Sequence, residues 1–403
     1  MGNELKAPLL QTKGSGVLKA CFNATNAFLG IGLLTVPYAL SSGGWLSLTL
    51  FLSVAAITFY TGILLKRCMD TDPSIKSYLD IADCAFGAKG RITVLINMNS
   101  ECYLVAVGLL ILESDNLHKL FPDFMIKIGT LVIGGRESFV IITGLVILPT
   151  MLLTDLSLLS YVSATGVFSC LLTVGSILSV GAFGGVGFHG RGALLNFDGL
   201  PTAVSLYIVC FAGHVVIPSV YSSMHDRCQF SKVLLYSFIL TAITYMSMAT
   251  VGYLMYGDIE TQITLYLPTS EIGAKIAIYT TLLIPVTRYA LTVTPVANTI
   301  EGGLSEEYKN WRPVRLLIRI GLLVSTLIIA YLFPYFENLV SIIGSIFVVL
   351  ASFVLPCLCY MKIFGLYKNF SYKRTVFAGI IVFGVVAGIL GTYSSVVDFM
   401  RNV

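Results

Sequence analysis

Charge is what this sequence has least of. Only 11% of its 403 residues are Asp, Glu, Lys or Arg, against about 25% in a water-soluble domain. Such a chain cannot cover a water-facing surface, which excludes soluble enzymes, nucleic-acid-binding proteins and disordered chains. Paired carboxylates or a metal-ligand cluster at one membrane depth are also missing, which removes a membrane enzyme and any metal or other cofactor from the reading. The nine cysteines are scattered, and the one close pair, Cys357 and Cys359, lies in an apolar run without nearby His or carboxylate ligands. Neither a disulfide framework nor a zinc site follows, and the thiols read as buried and structural. Residues 1–16 contain no apolar stretch, so no cleaved signal peptide is expected before the first span.

What is there in abundance is apolar surface: 56% of residues are hydrophobic and the mean hydropathy is +0.87. A hydrocarbon core about 30 Å thick takes about 20 apolar residues per helix. Runs of that kind lie at 17–41, 43–67, 91–118, 137–154, 156–182, 200–224, 231–256, 271–299, 314–334, 336–363 and 374–398. The expected fold class is an all-α polytopic membrane protein with eleven transmembrane helices. Runs nearly abut at Ser41 to Gly44, Thr154 to Leu156 and Pro334 to Glu337, where the boundaries are weakest. The segment 74–86 is too short and polar to span, but Ile75, Tyr78, Leu79 and Ala82 recur at helical spacing, predicting an amphipathic helix at the membrane face.

The cations test the count. With the N-terminus inside, eighteen Lys and Arg residues fall on the cytoplasmic side, six fall opposite, and Arg288 falls within a span. A three-to-one bias is what the positive-inside rule predicts. It puts the N-terminus in the cytoplasm and the C-terminus in a lumen or outside the cell.

Two spans are interrupted. Span 1 contains Asn26, Gly30-Ile31-Gly32 and Pro37; span 6 contains Gly213-His214 and Pro218. Backbone groups freed by glycine and proline survive in a membrane only where they line a cavity or meet a ligand. The pattern G-x-x-x-x-P thus occurs twice, at Gly32–Pro37 and Gly213–Pro218, the second copy offset from the first by 181 residues. That offset is five spans, and an odd number makes the second unit enter from the opposite side. The reading is a 5+5 inverted repeat, 17–182 and 200–363, with a polar tail at 1–16 and an extra helix at 374–398. Matching broken helices in two such halves point to a transport site at the bilayer midplane.

At these residues the sequence resembles the amino acid/auxin permease family, and within it the plant vacuolar neutral amino acid transporters. The likeness is carried by Asn23-Ala24-Thr25-Asn26, Gly30-Ile31-Gly32-Leu33-Leu34 and Pro37-Tyr38-Ala39, then by Gly213-His214, Pro218, Tyr221 and Met224. It implies a leucine-transporter-like fold and secondary active transport of amino acids, usually proton-coupled, with mostly neutral substrates in the vacuolar branch. Some relatives carry a long regulatory segment ahead of the first span, and regulation by such a tail is not expected here. Pro8-Leu9-Leu10 resembles a sorting signal and favours the vacuolar membrane; the plasma membrane is the alternative address.

An amino acid brings a carboxylate and an ammonium. The break at Gly30, Ile31 and Gly32 puts the start of the second half-helix around Leu33 to Thr35, where unpaired N–H groups and a positive dipole end meet the carboxylate. Asn26, one turn before Gly30, holds the break or touches the ligand. Carbonyls near Phe211 and Ala212 take the ammonium, and Gly30, Gly32 and Gly213 let the ligand approach the backbone. Tyr207, Phe211 and Ala212 are the expected walls of the side-chain pocket. No acidic residue stands in either break, which favours neutral over cationic substrates.

For coupling, His214 carries protons or gates the substrate on one reading and is a neutral hydrogen-bonding group on the other. Glu101 shares a helical face with Asn97 and Gly108; it relays protons or pairs with Arg288. The competing scheme is a sodium site built from span 1 carbonyls with Thr292 and Thr294. Arg288 in that stretch would repel sodium or take its place, so protons are favoured. The expected partners are an amino acid, protons and the bilayer, with the chain a monomer. A sodium-coupled or auxin-type carrier and a non-transporting amino acid sensor are the alternatives.

Overall fold

The computed structural model describes residues 16–129, 131–152, 159–190, 192–305, 308, 311–366 and 372–402. The tail with Pro8-Leu9-Leu10 and the boundary at Thr154 to Leu156 lie outside the described residues.

Span 1 is two helices, α1 (Val17–Phe28) and α2 (Gly32–Gly43), bent by 54°. Then come α3 (Ser47–Met69), the short α4 (Tyr78–Phe86) and α5 (Ala88–Leu120). A ribbon of β1 (Ile126–Ile128) and β2 (Leu131–Ile133), paired antiparallel, precedes α6 (Gly135–Leu152) and α7 (Leu159–Phe183). Span 6 is likewise two helices, α8 (Leu200–Val209) and α9 (Ile217–Ser223), separated by seven non-helical residues. After them run α10 (Phe230–Tyr256), α11 (Ile272–Gly302), α12 (Arg312–Leu332), α13 (Phe336–Ile363) and α14 (Tyr372–Asn402).

Eight of these helices are each long and apolar enough to cross a bilayer, and the bent pair α1–α2 makes a ninth. Two further expected spans are α6, whose C-terminal neighbours lie outside the described residues, and span 6, whose α8 is too short to cross alone. The predicted amphipathic helix is α4, opened by a capping box in which Ser77 and Asp80 exchange side-chain and backbone bonds. The β-ribbon had no counterpart in the hydrophobic pattern.

Packing relates the halves. α2 lies against α8 and α1 against α9. The second half of one broken span thus meets the first half of the other, as in an antiparallel crossing. Contacts also come in pairs five spans apart: α3 packs on α8 and α9 while α10 packs on α1 and α2. In the same way α5 packs on α13 while α11 packs on α7. Within α13 the helix widens to π geometry at Ile343–Val348 and Leu350–Val354. Its loosened carbonyls accept from outside: Phe347 from Asn97 Nδ2 at 3.1 Å and Ala351 from the Tyr78 hydroxyl at 2.6 Å.

Candidate functional site

The two breaks touch each other. A Cβ added at Gly32 would lie 3.3 Å from the Cys210 sulfur and 3.5 Å from its Cα. The start of α2 reaches the end of α8 through a residue without a side chain.

In a continuous helix, Gly30 N–H would bond to the Asn26 carbonyl and Gly32 N–H to the Phe28 carbonyl. Neither bond is made. Arg288 of α11 donates to the Asn26 carbonyl at 3.2 Å and to Asn26 Oδ1 at 2.6 Å. Gly30 N–H donates to the Tyr245 hydroxyl at 3.1 Å, and that hydroxyl donates to the Phe28 carbonyl at 2.9 Å. Tyr245 belongs to α10 and is fully buried. Each buried polar group left without its partner would cost about 1–3 kcal/mol. The N–H groups of Ile31 and Gly32 bond to nothing among the described residues. They open α2 and present its positive end to an anion.

Around this break the neighbours are small. A Cβ at Gly166 of α7 would overlap Asn26 Oδ1, so glycine there seats the Asn26–Arg288 contact. Ile31 faces Gly108 of α5, close to Phe336 and Leu339 of α13.

The span 6 break is held differently. The carbonyls of Cys210, Phe211 and Ala212 accept no hydrogen bond among the described residues. Gly213 lies under the Phe28 ring, which a Cβ would strike. His214 is buried, with Nε2 3.1 Å from the Thr58 carbonyl and 2.9 Å from Thr61 Oγ1. A carbonyl only accepts, so Nε2 carries the hydrogen. Thr61 donates to the same carbonyl at 3.0 Å. Nδ1 is buried without a partner among the described residues.

Tyr207 turns toward α3, and Phe211 packs between α3 and α10, where it also meets the Tyr245 ring. The Tyr207 hydroxyl meets Ser47 Oγ at 2.7 Å and its ring abuts Phe51, while Phe211 stacks on Phe238 with centroids 5.6 Å apart. These partners satisfy both side chains, which leaves Ala212 as the one expected pocket wall without such a role. Glu101 does not pair with Arg288, whose guanidinium is committed to Asn26; Glu101 Oε2 is buried with no hydrogen bond among the described residues. The hydroxyls of Thr292 and Thr294 donate within their own helix, to the carbonyls of Arg288 at 3.0 Å and Ala290 at 2.6 Å. Leu33 is buried beside the break. Sequence reasoning missed Tyr245, Thr58, Thr61 and Gly166, which sit in uninterrupted apolar runs with nothing local to mark them.

Known proteins bear on this arrangement. The family described as transmembrane amino acid transporter protein matches residues 13–397. Amino acid transporter AVT1I of Arabidopsis thaliana is 47% identical over 390 residues, covering 96% of both chains. Amino acid transporter AVT1J of the same plant is 46% identical, covering 94% of this chain and 90% of its own. Among solved structures, MhsT in complex with L-phenylalanine superposes with a TM-score of 0.58 at 11% identity, over 95% of this chain and 99% of that one. That likeness assigns the fold as leucine-transporter-like. The chain belongs to the transmembrane amino acid transporter family, the amino acid/auxin permeases.

Proposed function

We propose that this protein is a proton-coupled carrier of neutral amino acids that works by alternating access around broken spans 1 and 6. The observation that carries the reading is that unlike groups are left open at two breaks that touch through Gly32 and Cys210. Among the described residues, the N–H groups of Ile31 and Gly32 are unclaimed in one break and the carbonyls of Phe211 and Ala212 in the other. One set suits a carboxylate and the other an ammonium. With no acidic residue in either break, nothing there selects a second positive charge. The paired contacts five spans apart support the two repeats at 17–182 and 200–363, with 374–398 as the eleventh span.

Protons are favoured over sodium because Arg288 already places a fixed cation on the span 1 carbonyl that a sodium ion would use. His214 and Glu101, whose buried Nδ1 and Oε2 have no hydrogen-bond partner among the described residues, are the groups assigned to hold and pass the proton. The membrane is assigned as vacuolar, with the N-terminus cytoplasmic and the C-terminus lumenal, and the working unit as a monomer.

Uptake of labelled neutral amino acids into proteoliposomes tests this. A proton gradient is expected to drive saturable uptake that a sodium gradient of equal force does not. Uptake driven by sodium alone would move the coupling site to Thr292 and Thr294. Binding without gradient-driven flux would make the protein a sensor.

A further inference from the structure

We infer that Tyr245 is a positioning residue that keeps the Gly32 N–H available for the substrate carboxylate, an inference that rests on the carrier reading above. The argument is one of hydrogen-bond competition. The helical acceptor of Gly32 N–H is the Phe28 carbonyl, four residues back. In a low-dielectric interior an unpaired carbonyl and an unpaired N–H at that spacing draw together, and α1 would grow into α2. The Tyr245 hydroxyl donates to that carbonyl at 2.9 Å and accepts Gly30 N–H at 3.1 Å. One hydroxyl thus removes both the acceptor and the neighbouring donor from a healing reaction. Arg288 does the same for the Asn26 carbonyl, the helical acceptor of Gly30 N–H. Gly32 N–H is left without a helical partner, next to the contact with Cys210.

Tyr245 does not touch the substrate, so its loss acts through the break. Removing the hydroxyl lets the Phe28 carbonyl reclaim Gly32 N–H, and the substrate must then break that bond to bind. The effect falls on KM more than on kcat, and on the carboxylate more than on the rest of the ligand.

The test is uptake by Tyr245→Phe in proteoliposomes, with Tyr289→Phe as the control. Tyr289 is also fully buried, and its hydroxyl meets Thr326 Oγ1 at 2.5 Å on α12 and no backbone group of either break. For Tyr245→Phe, KM is expected to rise about tenfold with kcat within about threefold of wild type. The wild type's preference for an amino acid over its carboxamide should shrink by a similar factor, while Tyr289→Phe keeps both values and loses only thermal stability. Tyr245→Phe with unchanged KM and unchanged carboxamide discrimination overturns the inference. Should Tyr245→Phe not fold, 4-aminophenylalanine at position 245 keeps a ring-borne donor for the Phe28 carbonyl. It is then expected to restore folding with a near-wild-type KM, and a folded but high-KM protein would count against the inference. Wild-type protein that neither binds nor carries any neutral amino acid overturns both this inference and the carrier reading.

Discussion

The two broken spans share a sequence pattern and solve the same backbone problem in opposite ways. At the span 1 break, the freed groups are taken by side chains from two other helices, Tyr245 on α10 and Arg288 on α11. At the span 6 break, the carbonyls of Cys210, Phe211 and Ala212 stay unclaimed among the described residues, and the segment is held by side chains that turn onto α3 and α10: His214 on Thr58 and Thr61, Tyr207 on Ser47, Phe211 on Phe238. Farther along, Tyr221 ties α9 to Asp70 at the end of α3 at 2.5 Å. The first break is therefore pinned across the bundle to α11, a helix that packs on α5 and α7, whereas the second leans on its immediate neighbours. A pinned break suits a fixed anion-binding end, and one with open carbonyls suits an adaptable end.

Breaking the pin should have the largest effect. Arg288→Met leaves the Asn26 carbonyl and Oδ1 without their donor, and uptake is expected to fall about 100-fold, equivalent to about 2.7 kcal/mol. Arg288→Lys retains the charge and should recover part of that loss. Next is Gly166→Val: its branches would occupy the space of Asn26 Oδ1 and displace the Arg288 contact. Overpacking of that kind costs about 1–3 kcal/mol, so uptake at subsaturating substrate is expected to drop about tenfold. Uptake assays on the two variants check both, and a Gly166→Val protein with wild-type transport would show that the pin does not matter.

The contrast between the breaks was half legible in the sequence. Glycine and proline announce where a helix is weakened, because their backbone chemistry is local, so Gly30, Gly32, Gly213 and Pro218 marked both breaks, while Pro37 lies inside α2. The amphipathic 74–86 segment followed from periodicity for the same reason. Partners cannot be read this way. Tyr245 lies 215 residues from Gly30, and its role depends on which face of α10 meets α1. The directions of Tyr207 and Phe211 are of the same kind: a helix in lipid can bury any face, and hydropathy does not say which. Arg288 was legible as an intramembrane cation worth explaining, yet its partner proved to be a backbone carbonyl with its own Asn side chain, which no charge pattern encodes.

Smaller effects sharpen the span 6 side. His214→Ala removes the bond to the Thr58 carbonyl, and proton-driven uptake is expected to fall about tenfold, the scale of a lost buried hydrogen bond with an orphaned partner. His214→Gln separates the two roles. If the imidazole only donates to Thr58, glutamine restores uptake and leaves its pH dependence unchanged. If it carries the proton, uptake by the glutamine variant loses its response to the gradient while exchange of labelled for unlabelled substrate persists. Asp70, beyond the end of α3, is pushed up by burial but held below its ordinary carboxylate value by hydrogen bonds from Lys66 and Tyr221. A depressed carboxylate stabilises above its unfolded pKa and loses that contribution as pH falls through the folded one. The stability deficit of Asp70→Asn is therefore expected at neutral pH and should vanish as the pH drops below about 4, as followed by thermal melts.

Tyr207→Phe should do least, and for that reason it discriminates most cleanly between a pocket wall and a packed side chain. Its hydroxyl meets Ser47 Oγ, and Ser47 also donates to the Gly44 carbonyl at 2.6 Å, so the serine keeps a partner when the tyrosine hydroxyl is gone. The expected cost is about 1 kcal/mol or less of stability. Were Tyr207 a wall of the substrate pocket, removal of its hydroxyl would alter which neutral amino acids compete for uptake. Turned toward α3 as it is, the residue should leave the ranking of competitors and the KM of each within twofold of wild type, a deviation of about 0.4 kcal/mol on the scale of 1.36 kcal/mol per tenfold. A reordered ranking would mean that span 6 rotates during the cycle and presents to the substrate a face that this conformation keeps against α3.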